Sequence, residues 1–516
     1  MEASDGQRVR DSHRRSPLDV IMSQIRRKRT ASDRKPLGRF LSQTSDRAGI
    51  PEDGEMEGRE ERGVGEAADT EQDVGWGQVC VFLQRLGKKA DSRSLSLAHC
   101  DLTATDLLEL ATLLQFLPQL EEMDLSWNEL IGGCLKALTS YLHYVSGVRT
   151  LRLCSCRLNA EDIVAMGGLV SALPTLCVLD LSCNPQLAQE FSGGGFKELA
   201  ATLSHTTSLT TLRLQACSLT TECLDALGGS LRCLPSVREL DLSCNKSLSG
   251  GLNRLTVHLS HLTQLESLNL HLCCLTRADL EALIQVLPAL MALTELDVSS
   301  NKEAGGVVHP LVSALPLTQM KRLPLSSCSL NEESCTALAL AVPYLHSMDV
   351  SWCKVVGGRL ALLLDALQPS VITELCLSSC DLTTDDLRHL AAVCRRGCLS
   401  SLRVLDVSYN GFVGDDGWSA LFAAGGLGSL EDIDLSLRPS TSASCAVWLP
   451  VLLCALPQLP ALTRLAAQRW TIGSQDRQQL NHCLKKRSVL LEWDPDIRDA
   501  TSSFKLTSYE ESQPEE

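Results

Sequence analysis

The 516-residue chain lacks the marks of the common enzyme classes. It has no P-loop, no HExxH, no GxSxG and no dinucleotide-binding glycine pattern. It has no CxxC pair, and its histidines are scattered, so neither metal ligands nor a cofactor site are expected. His271 beside Cys273 and Cys274 comes nearest to a metal cluster, and it is read as a surface histidine next to core thiols. No apolar run spans a bilayer uninterrupted: the longest, 446–462, carries Pro450, Pro457 and Pro460. The N-terminus is polar and charged, which predicts no secretory signal. Positive charge is also in deficit. Lys and Arg number 47 against 62 Asp and Glu, a net charge of −15, which argues against nucleic acid as the ligand of the folded part.

What the chain does have is 23 cysteines and a repeat. Without a secretory signal, these thiols are expected to stay reduced, and the chain is read as cytoplasmic. Cys and Asn alternate at one equivalent position: Cys100, Asn128, Cys156, Asn184, Cys217, Asn245, Cys273, Asn301, Cys328, then Cys353 where Asn is expected, Cys380 and Asn410. Each follows a short alternating apolar segment, such as LRLCSCRL at 151–158 or LCVLDLSCN at 176–184. Alternation predicts brief strands, and the amphipathic runs between them predict helices. Thr103 with Asp106 and Asn159 with Asp162 have the spacing of helix caps. A buried Asn can bond backbone groups left over by a tight loop, and a small thiol fills the same slot in the other repeat type. The ladder is therefore structural.

Both segment types fit L-x-x-L-x-L-x-x-N/C, the leucine-rich repeat signature. Twelve copies are clear; a thirteenth at 430–438 has lost the Asn, and a fourteenth at 462–470 is degenerate, as suits a terminal cap. The alternation with a period of about 28 residues resembles the ribonuclease-inhibitor class of leucine-rich repeats. That resemblance implies an α/β solenoid, a horseshoe with parallel strands on the concave face and helices outside. The domains are read as a tail at 1–75, the solenoid at 76–484 and a second tail at 485–516. Residues 1–21 are read as an extension ahead of Met22. The first tail is basic, with Arg26, Arg27, Lys28 and Arg29, then acidic. Its RRKRTAS run fits a nuclear-import patch, a basophilic kinase site at Thr30 or Ser32, or a solvated linker. The pairs Gly132–Gly133, Gly250–Gly251, Gly305–Gly306 and Gly357–Gly358 recur at one place in the repeat and are read as the bend into the helix, not as phosphate loops.

Strand alternation locates the outward residues. Asn-type repeats carry Asp124, Asp180, Asp241, Asp297, Asp349, Asp406 and Asp434 there, each with a Ser two residues on. Much of this is repeat consensus. The intervening repeats carry Ser96, Arg152, Arg213, Asn269, Pro324 and Cys376. Arg152 and Arg213 balance the first aspartates; beyond Asp241 no arginine interleaves. Two residues earlier stand Glu239, Glu295, Glu374 and Asp432, opposed by Arg322. The C-terminal half of the concave face is therefore expected to be acidic and to recruit a basic protein as a monomer. Trp352 and Tyr409 would serve as aromatic anchors, with Trp127 far from both. Pro324 sits mid-strand, where it removes a ladder donor; it is read as drift of the repeat, with a local break in curvature as the alternative. Three functions remain open: an interaction scaffold, a stoichiometric inhibitor of a basic enzyme, and a GTPase-activating protein. The lack of a dense Trp cluster counts against the second.

Overall fold

The computed structural model describes residues 66–188 and 195–494. Thr30, Ser32, Arg26–Arg29 and the segment 1–21 lie outside the described residues. The described residues fall in one compact unit. It is an α/β leucine-rich repeat solenoid. Its strands, only two or three residues each, are β1 (Ser94–Ser96), β2 (Glu122–Asp124), β3 (Thr150–Arg152), β4 (Val178–Asp180), β5 (Thr211–Arg213), β6 (Glu239–Asp241), β7 (Ser267–Asn269) and β8 (Glu295–Asp297). They continue as β9 (Ser347–Asp349), β10 (Glu374–Cys376), β11 (Val404–Asp406), β12 (Asp432–Asp434), β13 (Ala443–Ser444), β14 (Arg464–Ala466), β15 (Trp470–Thr471) and β16 (Leu490–Glu492). Strands β1 to β8 form one parallel sheet in chain order, and β9, β10, β11, β12, β14 and β16 form a second. The middle residue of each ladder strand from β1 to β12 and of β14, such as Leu151 or Leu240, is buried in the core.

The two sheets meet where Pro324 stands. Only Arg322 bridges there, to Glu295 on one side and Ser347 on the other. Proline has no N–H to donate, so this rung is reduced to a single bridging residue and the strand ladder is interrupted there. At both ends the structure differs from the sequence reading. A helix, Glu66–Arg85, precedes the first strand and begins inside the stretch assigned to the tail. The helix Ser474–Lys485 leads into one more rung, β16, which pairs with β14 beyond the expected boundary at 484. Both end units lack the repeat signature, because an end rung needs no matching neighbour on its far side.

The Cys/Asn column explains the period. Asn184 is fully buried; its Oδ1 accepts from the N–H groups of Cys156 and Leu158, both at 3.0 Å, in the rung before. Its Nδ2 donates to the carbonyls of Leu153 (2.9 Å) and Leu181 (2.8 Å). Asn128, Asn301 and Asn410 repeat the arrangement. The thiols of Cys156, Cys217, Cys273 and Cys380 donate to the carbonyls of Leu125, Leu181, Leu242 and Val350, one rung back, at 3.1–3.2 Å. Each side chain thus ties its rung to the preceding one. Cys353 can donate to Leu325 and Cys328 carbonyls but offers no strong acceptor. The N–H groups of Cys328 and Leu330 turn instead to carbonyls within their own loop, those of Leu325 and Cys328.

The caps form as expected, and the capping aspartates do more. Asp162 accepts from Asn159 at the head of its own helix, and from Gly133 (2.7 Å) and Leu135 (2.9 Å) in the preceding repeat. Asp279 and Asp386 treat Gly250 and Gly358 alike. This junction accounts for three of the glycine pairs; at Gly305–Gly306 the Ser334 hydroxyl donates to the Gly305 carbonyl instead. Gly133 has φ of +80°, and a Cβ at Gly132 would collide with the Arg157 carbonyl.

Candidate partner-binding face

Strand register sets the aspartates side by side with the residues of neighbouring rungs. All seven share a role that the sequence reading missed. The Oδ1 of Asp124, Asp180, Asp241, Asp297, Asp349, Asp406 and Asp434 accepts from the backbone N–H of the Ser two residues on, at 2.9–3.0 Å. The aspartate thereby shapes the turn that ends each strand, and one carboxylate oxygen is committed to the fold. Burial pushes the carboxyls of Asp241 and Asp406 above their usual range, against the hydrogen bonds that hold them charged.

The charges compensate at both ends of the row. Arg213 grips Glu239 with two bonds (2.7 and 3.2 Å) and reaches Asp180 at 3.9 Å. Glu239, expected to face a partner, is thus held within the chain. Arg464, in a segment too degenerate to attract notice, bonds Asp432 (2.7 Å) and Glu492 (3.0 Å) and lies 3.5 Å from Asp434. The reading that no arginine interleaves beyond Asp241 left out Arg464, which compensates Asp432 and Asp434.

Between these ends stand Glu295, Asp297, Asp349, Glu374 and Asp406. Among the described residues, no ion pair within 4 Å engages any of them. Asp349, Cys376 and Asp406 lie in register on β9, β10 and β11. Burial first, and then the carboxylates of Asp349, Asp406 and Glu374, push the Cys376 thiol up to about 12, with Arg322 opposing. Trp352 is 57% exposed and its ring centroid lies 6.2 Å from that of Tyr409. Trp127 stacks on His99 instead, far along the chain of rungs. Trp127, Trp352 and Tyr409 all hold positive φ (60–65°), the turn conformation that precedes each buried Asn or Cys.

All 23 cysteines are free thiols. Cys273 is buried, but Cys274 is exposed, so only one of the pair beside His271 belongs to the core. The His271 ring faces the Ser299 hydroxyl at 2.7 Å. Among the described residues, no group of His, Cys, Asp and Glu could hold a metal ion.

The family model described as "Leucine Rich repeat" matches residues 398–422. The ribonuclease inhibitor of Sus scrofa is 32% identical over 357 residues, covering 67% of this chain and 75% of that protein. The chain belongs to the ribonuclease-inhibitor family of leucine-rich repeat proteins. The Mus musculus ribonuclease inhibitor is 28% identical, over 73% of this chain and 80% of its own length. Among solved structures, one chain of the yeast Rad7–Elc1 complex is 14% identical and covers 84% of this chain and 96% of its own, with a TM-score of 0.49.

In this ribonuclease-inhibitor-family chain the tryptophans do cluster, but in the interior of the C-terminal end. Trp448 lies 5.0 Å from Trp470 and 6.0 Å from Trp418 between ring centroids, and Trp418 and Trp448 are buried. The spacing of these residues in sequence hides a contact that only stacked rungs create.

Proposed function

We propose that the chain is a non-enzymatic protein-interaction scaffold that binds a basic protein on the concave strand face, at rungs β8 to β11. The observation that carries this reading is the run Glu295, Asp297, Asp349, Glu374 and Asp406, in which no carboxylate has an ion-pair partner among the described residues, beside exposed Trp352. Neighbouring rungs are ~4.8 Å apart, so Asp349, Glu374 and Asp406 follow one another at about that spacing, and Asp297 stands two rungs, ~10 Å, from Asp349 across the Arg322 rung, comparable to the Debye length of about 8 Å. Their potentials add and attract a basic surface. Reversing Asp297, Asp349 and Asp406 to Lys is expected to remove the partners recovered with wild type; because each aspartate also holds a turn, the melting temperature is checked and the Asn versions, which keep the turn acceptor, are compared. Retention of the same partners would refute the reading.

A second reading, inhibition of a basic enzyme, is favoured by the likeness to the Sus scrofa ribonuclease inhibitor. Titration of a pancreatic-type ribonuclease with the purified chain separates the two: stoichiometric loss of activity supports inhibition, and full activity leaves the scaffold. The SLRPS run at 436–440 and the GKKA run at 87–90 resemble leucine-rich repeat-containing protein 31, a likeness that favours the scaffold. The free thiols suit a reducing compartment, and we assign the chain to the cytoplasm as a monomer. Among the described residues no helix is long and apolar enough to cross a membrane.

A further inference from the structure

The repeat supplies its own comparison for the open part of this face. On β3 and β5 the residue in register between two aspartates is an arginine: Arg152 between Asp124 and Asp180, and Arg213 between Asp180 and Asp241. Arg213 spreads its guanidinium from Asp180 on β4 to Glu239 on β6, carboxylates of the two strands beside its own. Arg464 on β14 does the same from β12 to β16, with Asp432, Asp434 and Glu492. At β10 the equivalent position is Cys376, in register with Asp349 on one side and Asp406 on the other, and Glu374 shares its strand. A cysteine ends one atom beyond Cβ. The volume that a guanidinium fills at β5 is left to whatever docks there, with its carboxylates in place. Arg322 is the cation facing this position from within the chain, and it stands beside Glu295 and Ser347 at the single-bridge rung.

We propose that the slot over Cys376 receives an arginine side chain of the protein partner; this rests on the concave-face reading above. Asp349 and Asp406 accept from the two edges of the guanidinium, and the exposed face of Trp352, with Tyr409 behind it, stacks on its plane. The planar fork meets two carboxylates and a ring at once. An ammonium is a point charge and satisfies one of these contacts at a time.

Fluorescence anisotropy with the full chain and fluorescein-labelled hexa-arginine or hexa-lysine tests the slot. Hexa-arginine is expected to bind at least ~10-fold tighter than hexa-lysine. Cys376→Arg repeats the Arg213 arrangement from within and is expected to weaken hexa-arginine at least ~10-fold, with the melting temperature as a check on folding. Trp352→Ala, a change at an exposed ring, narrows the arginine-to-lysine ratio without touching any carboxylate. Equal binding of the two peptides, absence of binding by hexa-arginine, or unchanged binding by Cys376→Arg overturns the slot. If both peptides bind equally and reversal of Asp297, Asp349 and Asp406 abolishes both, the slot falls and the acidic face stands. If neither peptide binds and that reversal leaves partner recovery intact, both fall.

Discussion

Replacing Asn184 with alanine tests the column that holds the rungs together. The change strands two buried N–H groups, those of Cys156 and Leu158, which the Asn184 oxygen meets at 3.0 Å. It also strips a donor from the carbonyls of Leu153 and Leu181. No water can reach the site, since Asn184 is fully buried. Each orphaned buried donor costs about 1–3 kcal/mol, so the substitution is expected to cost about 3–5 kcal/mol in all. The internal control is Cys353→Ala. There the backbone N–H groups of the rung before already bond within their own loop, so only one weak thiol donation, shared between the Leu325 and Cys328 carbonyls, is lost, and the cost is about 1–2 kcal/mol. Urea-unfolding midpoints rank the two variants. Amide exchange at Cys156 and Leu158 reports the same loss locally, which guards against the uneven cooperativity of repeat arrays. An Asn184→Ala cost below ~0.5 kcal/mol, or one equal to that of Cys353→Ala, would refute the reasoning.

Three other outcomes follow from named contacts. Burial pushes the thiols of Cys156, Cys217, Cys273 and Cys328 from 9.0 up to about 12. Their full contribution is present below pH 9, where both states are protonated, and is lost between pH 9 and about 12 as only the unfolded chain ionises; a urea midpoint that does not fall from pH 8 to pH 10.5 contradicts this. Asp406→Asn keeps the acceptor for the Ser408 N–H while removing a partly buried charge, so it should match or exceed wild type in melting temperature, whereas Asp406→Ala loses about 1 kcal/mol. Trp448→Ala opens the core between Trp418, Phe422 and Trp470 and should cost about 3–5 kcal/mol with loss of near-ultraviolet ellipticity; an unchanged melt would rule out its part in closing the solenoid.

The fold was legible because every rung repeats the same burial problem. Leucines at fixed spacing announce a strand that must be covered, and Asn or Cys at one position marks the turn behind it. The lost ladder donor at Pro324 was legible for the same reason, since a missing N–H has one meaning in a ladder. The end units were not: Leu490, Leu491 and Glu492 form a strand only because β14 lies beside them. The outward aspartates were found by alternation, but alternation gives direction and not partners. The serine two residues after each aspartate was the available signal for the turn bond. Arg464 was hidden by a segment whose Ala466 and Ala467 replace the usual Asp and Leu. Side-chain reach across rungs separates the compensated carboxylates from the open ones, and a linear sequence does not carry it.

The central claim is that a basic protein docks on rungs β8 to β11. Hydrogen–deuterium exchange of the full chain, alone and saturated with a recovered partner, tests this most directly. Exchange is expected to slow in residues 295–300, 347–352, 374–380 and 404–410, and this protection is expected to be lost on reversal of Asp297, Asp349 and Asp406 to Lys. Protection confined to the outer helices, such as Arg277–Val286 and Thr384–Arg395, would contradict it.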